Sequence, residues 1–185
     1  PLSWHNIFQK IMTNKLVIYA IGADRPGIVD KLSDIIYNHS LNIEDSRMSV
    51  LGGEFAILLL VSGEQSSIDA LQAQAPEIEQ ALQMRLLLKP TTGPKTDSNA
   101  IPYSVEVTAL DNPGIVRNIA SFFSSQNINI VNMQTEKYSA PHTGSPMFAL
   151  HMSIGVPAET NIAKLRDTFM GVCDELNLDA ELTNI

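Results

Sequence analysis

Asp24-Arg25-Pro26-Gly27-Ile28-Val29 and Asp111-Asn112-Pro113-Gly114-Ile115-Val116 are one phrase written twice. The offset is 111 − 24 = 87 residues, close to half of a 185-residue chain. The echo continues beyond the phrase at the same offset. Leu32, Ile35 and Ile36 become Ile119, Phe122 and Phe123, and Leu41-Asn42-Ile43 becomes Ile128-Asn129-Ile130. A period this long is a duplicated domain, because solenoid repeats are shorter and more numerous.

Working outward, each copy follows an apolar run, Lys15 to Ala23 or Pro102 to Leu110, that reads as a strand. Proline and glycine then mark a turn that opens a helix, with proline suited to the first helical turn. Ile28, Leu32, Ile35 and Ile36 recur at i, i+4, i+7 and i+8, one helix face. Leu41 to Val50 reads as the next strand. Gly52-Gly53 predicts a tight hairpin into a third strand, Glu54 to Val61, whose apolar residues on both faces predict cover on both faces. A helix over Ser66 to Ala75 turns Ile68 and Leu71 inward and is ended or kinked by Pro76. Arg85 to Lys89 is the fourth strand.

The cycle restarts after a polar stretch rich in Pro, Thr, Gly and Ser. Ile128 to Tyr138 and Met147 to Gly155 are strands around a longer loop, Ser139 to Pro146. A helix follows Pro157 to Thr160, with Ile162, Leu165, Phe169, Val172 and Cys173 inward, and Leu178 to Ile185 closes the sheet. The predicted fold is α+β: two ferredoxin-like βαββαβ units, each an antiparallel sheet with two helices on one face. Residues 15–90 form the first domain, 91–100 the linker, 101–185 the second domain, and 1–14 an N-terminal extension. Met12 is a candidate internal start, which would leave Pro1 to Ile11 as a leader.

Composition narrows the function. Hydrophobic residues are 44% of the chain, enough for two cores. Twelve Lys plus Arg against twenty Asp plus Glu gives a net charge of −8, the wrong sign for phosphate neutralisation. The strands and helices also leave no room for a helix-turn-helix, so direct nucleic-acid binding is not expected. One cysteine, Cys173, fits a reducing compartment and reads as a small buried residue. No apolar run reaches membrane-spanning length, and a cytoplasmic location is expected. The chain has no phosphate loop, no His-x-x-x-His, no Cys-x-x-Cys, and no nucleophile motif beside its four histidines. Neither an enzyme nor a metal or cofactor protein is expected.

The repeated turn suits an amino acid. A helix start has unpaired N–H groups and partial positive charge, which accept a carboxylate. Gly27 lets a ligand approach the backbone, and Asp24 carries the sign that attracts an ammonium group. The same residues also read as an ordinary cap and turn. Asn42 and Asn129 open matching strands and can donate and accept, or can simply be turn residues. Glu44, Asp45 and Arg47 follow, with 45 and 47 on one strand face and 44 and 46 on the other. They read either as a solvated face with an ion pair or as contacts for a protein partner.

The pattern Asp-x-Pro-Gly-Ile-Val, an amphipathic helix, then Asn-Ile before a strand resembles the ACT domain, a small fold that binds amino acids and other effectors. The resemblance covers both halves. The runs Asn42-Ile43-Glu44-Asp45-Ser46-Arg47-Met48 and Leu51-Gly52-Gly53-Glu54-Phe55 are similar to a tandem group of ACT proteins that act on transcription of glycine cleavage genes. That resemblance implies effectors held between the helix-opening turn of one unit and a strand of its neighbour. The implied contacts are Asp24, Pro26, Gly27, Ile28 and Asn42, with Asp111, Pro113, Gly114, Ile115 and Asn129 in the second copy. It implies glycine or another small amino acid as effector and a DNA-binding transcriptional activator as protein partner, and it admits a homo-oligomer. Glu44-Asp45-Ser46-Arg47 becomes Val131-Asn132-Met133-Gln134, so the two sites are not expected to be equivalent. A regulatory subunit of a metabolic enzyme and a ligand-free oligomerisation module are the rival classes.

Overall fold

A computed structural model describes residues 14–92 and 99–185. The chain divides into two compact units, with the division after residue 95. The first contains β1 (Asn14–Ala23), α1 (Ile28–Asn38), β2 (Asn42–Leu51), β3 (Glu54–Gly63), α2 (Gln65–Ala73), α3 (Ala75–Leu82) and β4 (Arg85–Thr91). The second contains β5 (Ala100–Leu110), α4 (Ile115–Ser125), β6 (Asn129–Ser139), β7 (Pro146–Pro157), α5 (Ile162–Glu175) and β8 (Asp179–Asn184). Each sheet is four-stranded, ordered β2-β3-β1-β4 and β6-β7-β5-β8, with every neighbouring pair antiparallel. This is the ferredoxin-like order, twice.

Alternation along the central strands decides where each core lies. Leu16, Ile18 and Ala20 of β1 and Ile57, Leu59 and Val61 of β3 face the helices and are buried. They meet Ile28, Leu32 and Ile36 of α1, Ile68 and Leu71 of α2, and Ile78 and Leu82 of α3. In the second unit Phe122, Phe123 and Phe169 form a ring cluster with centroids 5.1–5.3 Å apart. Each such side chain contributes roughly 1.5–3 kcal/mol by leaving water.

Helix ends repeat as faithfully as the strands. Ser40, Gln83, Asn127 and Asn177 all adopt φ between 51 and 56°. The next N–H then bonds back five residues, as in Leu41 N–H to the Ile36 carbonyl at 3.1 Å and Ile128 N–H to the Phe123 carbonyl at 2.9 Å. That is the Schellman ending, made here without glycine.

Several expectations need correction. Pro76 does not merely end a helix: it sits in the first turn of a separate one, α3, where its missing N–H costs nothing. Pro26 is not in the first turn of α1, because Gly27 is the N-cap at φ 85° and leaves Pro26 in the preceding turn. The second face of β3 is not covered as expected: Leu58 is 44% exposed, because the helices lie on the other face. Thr91 and Ala100, placed in the linker by composition, belong to β4 and β5. The residues that remain of the linker, 93–98, and the extension up to residue 13, Met12 included, lie outside the described residues.

Candidate ligand site

Each helix-opening turn is fixed at both ends by backbone. Asp24 N–H donates to the Gly53 carbonyl at 3.1 Å, and Asp111 N–H donates to the Pro146 carbonyl at 2.9 Å. Ile28 and Ile115, the first helical residues, are buried and anchor α1 and α4. Gly27 and Gly114 adopt φ 85° and 95° at the N-caps, and no side chain caps either helix. Pro26 and Pro113 stand exposed in the turns. The result is a helix start without a side-chain cap that follows an aspartate by a few residues, the polarity a zwitterionic amino acid requires.

The two turns differ in charge. Lys137 Nζ donates to Asp111 Oδ2 at 2.7 Å. Lys137 falls at the position of Val50, since 137 − 87 = 50. Asp24 is exposed and has no side-chain hydrogen bond or ion pair among the described residues. Beside it Arg25 turns away to the end of α3, donating to Gln83 Oε1 at 2.6 Å and to the Leu82 carbonyl.

Asn42 and Asn129 lie at the other end of their sheets. Asn42 is opposite Ser62, which is opposite Lys15, at the start of β1, while the turn follows its end. Eight residues of strand separate Lys15 from Ala23, about 25 Å at ~3.3 Å per residue. A single unit therefore does not bring its turn and its asparagine together.

Around Asn42 the first unit builds a polar cluster that the second lacks. A β-bulge interrupts β2 between Ile43 and Asp45, and another interrupts β6 between Ile130 and Asn132. The extra residue is Glu44 in one and Val131 in the other. Glu44 Oε1 accepts from Ser62 Oγ at 2.5 Å and from Asn42 Nδ2 at 3.3 Å. The Ser62 bond, then the Asn42 bond, hold the Glu44 carboxyl below its ordinary range, with Lys15 adding to them. In the second unit Ser62 is replaced in register by Gly155 and Lys15 by Pro102.

The bulge also removes the strict alternation that grouped Glu44 with Ser46. Asp45 and Arg47 do share a side, opposite Leu60 and Leu58, and pair with each other. Sequence reasoning missed Ser62 and Lys137. Lys137 was visible as the one charge that replaces Val50 between the copies. Ser62 becomes visible only once the β2–β3 register is known.

Cys173 is buried, and burial, with Asp174 beside it, pushes its thiol up to about 11. Among the described residues no group of His, Cys, Asp and Glu is placed to hold a metal ion, and no helix is long and apolar enough to cross a membrane.

Two ferredoxin-like units, each opening its first helix from an Asp-x-Pro-Gly turn, define a tandem α+β protein. Residues 14–89, the first unit, match the ACT domain family, and the second unit repeats its strand order. Over 167 residues it is 28% identical to the glycine cleavage system transcriptional repressor of Escherichia coli K12, which covers 90% of this chain and 88% of that protein. A crystal structure assigned provisionally to a glycine cleavage system transcriptional repressor superposes with a TM-score of 0.73 at 27% identity, covering 95% of this chain and 99% of that one. The crystal structure of an unknown protein from Galdieria sulphuraria gives a TM-score of 0.79 at 28% identity, covering 94% and 99%.

Proposed function

We propose that this chain is a cytoplasmic, non-catalytic sensor of glycine or another small amino acid. It regulates transcription of glycine cleavage genes through a DNA-binding protein partner, without touching DNA or membrane itself. The observation that carries this reading is the Asp24 turn. An exposed carboxylate stands beside a helix N-terminus, and among the described residues neither the carboxylate has a side-chain partner nor the helix a side-chain cap. The ammonium of an amino acid would meet Asp24, and its carboxylate would meet the N–H groups after Gly27. The name of the E. coli relative, a transcriptional repressor of the glycine cleavage system, supports the regulatory half of the reading. The net charge of −8 supports a protein partner rather than a phosphate backbone.

Ligand can change the partner interaction only by binding the free and partner-bound forms with different affinity. Calorimetric titration with glycine, against serine, alanine and the branched amino acids, tests the sensor. A pull-down of the activator with and without glycine tests the coupling. Selective glycine heat together with a glycine-dependent pull-down is the expected outcome. Absence of both sinks the reading.

A further inference from the structure

The turn between β1 and α1 carries opposite charges on adjacent residues, and the fold keeps them apart. Asp24 is exposed, with no side-chain partner among the described residues, whereas Arg25 is half-buried. An arginine stem is long enough to pair with a carboxylate close by in sequence, as Arg47 does with Asp45 in this chain. Arg25 does not pair with Asp24. Its guanidinium reaches the C-terminus of α3, donating from one nitrogen to Gln83 Oε1 at 2.6 Å and from the other to the Leu82 carbonyl.

The end of α3 explains why the guanidinium settles there. The last four carbonyls of a helix lack intrahelical partners and carry partial negative charge. In α3 the Met84 N–H takes the Glu79 carbonyl and the Gln83 N–H takes the Gln80 carbonyl. The Leu82 carbonyl is left to Arg25, which supplies from outside the helix the cation that its last turn lacks. The Gln83 amide adds a second acceptor beside it.

The second unit shows what an aspartate in this turn does when a cation can reach it. Arg25 becomes Asn112, since 112 − 25 = 87, and the turn has no arginine of its own. Lys137 of β6 reaches across instead and pairs with Asp111 at 2.7 Å. We infer that Arg25 is a positioning residue of the ligand turn: held by Gln83 and the Leu82 carbonyl, its guanidinium is parked on α3, and the Asp24 carboxylate stays open to a ligand ammonium. This rests on the proposed function for the ligand and on the Arg25 contacts for the device. Gln83 acts through Arg25. With those contacts weakened, the guanidinium pairs with Asp24 part of the time, and the apparent affinity falls with the fraction of Asp24 left open.

The test is calorimetric titration of the intact chain with glycine, alanine and serine in turn. The variants are Gln83→Gly, Arg25→Met and the double variant Arg25→Met/Gln83→Gly. Gln83 adopts φ 51°, a conformation glycine takes without strain, so Gln83→Gly removes the amide and spares the turn. Each variant is checked for a cooperative melt. Gln83→Gly should weaken binding about three- to fivefold, the competition that an exposed ion pair exerts. Arg25→Met and the double variant should both bind more tightly than Gln83→Gly. A merely structural role for Arg25 predicts the opposite, because removing a support at both of its ends does not restore affinity. Gln83→Gly binding as wild type, or a double variant no tighter than Gln83→Gly, would overturn the role of Arg25 and leave the proposed function standing. A wild type that binds none of the three amino acids would overturn the proposed function and this assignment with it.

Discussion

Lys137 Nζ lies 2.7 Å from Asp111 Oδ2, and the first unit has Val50 where Lys137 stands. The same turn is therefore built twice and neutralised once. A ligand ammonium approaching Asp111 must displace a lysine, whereas Asp24 has no such partner among the described residues. The duplicated fold supplies the position, and one substitution between the copies separates their chemistry.

Glycine heat should accordingly vanish in Asp24→Ala and persist in Asp111→Ala. A hydrogen bond to a charged group is worth about 1.5–3 kcal/mol, so the loss is roughly 10- to 150-fold in affinity. Val50→Lys should weaken binding in the same direction by supplying the first unit with the lysine of the second. Calorimetry on the three variants checks this. Equal binding by wild type and Val50→Lys would show that the Asp24 carboxylate does not receive the ligand.

Gly27→Ala and Gly114→Ala should each destabilise the protein by about 1–2 kcal/mol in urea unfolding. Both glycines adopt left-handed φ, 85° and 95°, yet an added Cβ would meet no atom within 4 Å at either. The cost is then backbone strain alone. Gly22→Ala is the contrast: its Cβ would lie 2.9 Å from Met84 Cγ and 3.0 Å from the Gln83 carbonyl oxygen, so overpacking adds about 1–3 kcal/mol.

Which parts were legible in the sequence follows from the range of the forces involved. The repeated phrase, the i, i+4, i+7 spacing of α1 and the Gly52-Gly53 hairpin, with φ of 61° and 86°, are local, and they carry the fold. Helix α3 escapes the pattern because Pro76 reads as an end or a kink, although Ile78 and Leu82 after it have helical spacing. The Glu44 bulge was hidden because period-2 alternation assumes an uninterrupted ladder. The Asp111–Lys137 pair spans 26 residues and depends on the placement of β6, which pattern reading does not supply. The turn residues could be named from sequence; their different charge environments could not.

Cys173 should resist thiol reagents in the folded protein at pH 8 and react promptly in guanidinium. Its side chain is buried among Leu165, Phe169 and their neighbours, and burial raises its thiol from 9.0 to about 11. The thiolate fraction that carries the reactivity is therefore small at pH 8. Prompt modification under native conditions would show that α5 opens locally.

The Glu44 cluster gives the first unit a pH dependence that the second lacks. Ser62 and Asn42 hold the folded carboxyl below its ordinary value of 4.5. A depressed carboxyl stabilises the fold above its unfolded pKa, and that contribution fades as pH falls through the lower folded value. Ser62→Ala removes the largest cause, so the Glu44 carboxyl resonance should titrate at higher pH than in wild type. The stability difference between the two proteins should be largest near neutral pH and should shrink below pH 4.5. NMR titration of the side-chain carboxyl reads the first effect, and urea melts at several pH values read the second. Gly155→Ala, at the position matching Ser62, offers no carboxylate a lost partner, since Val131 replaces Glu44 there, so its stability difference from wild type should be flat with pH. A Glu44 titration unmoved by Ser62→Ala would mean that the serine hydroxyl is not what holds the carboxylate ionised.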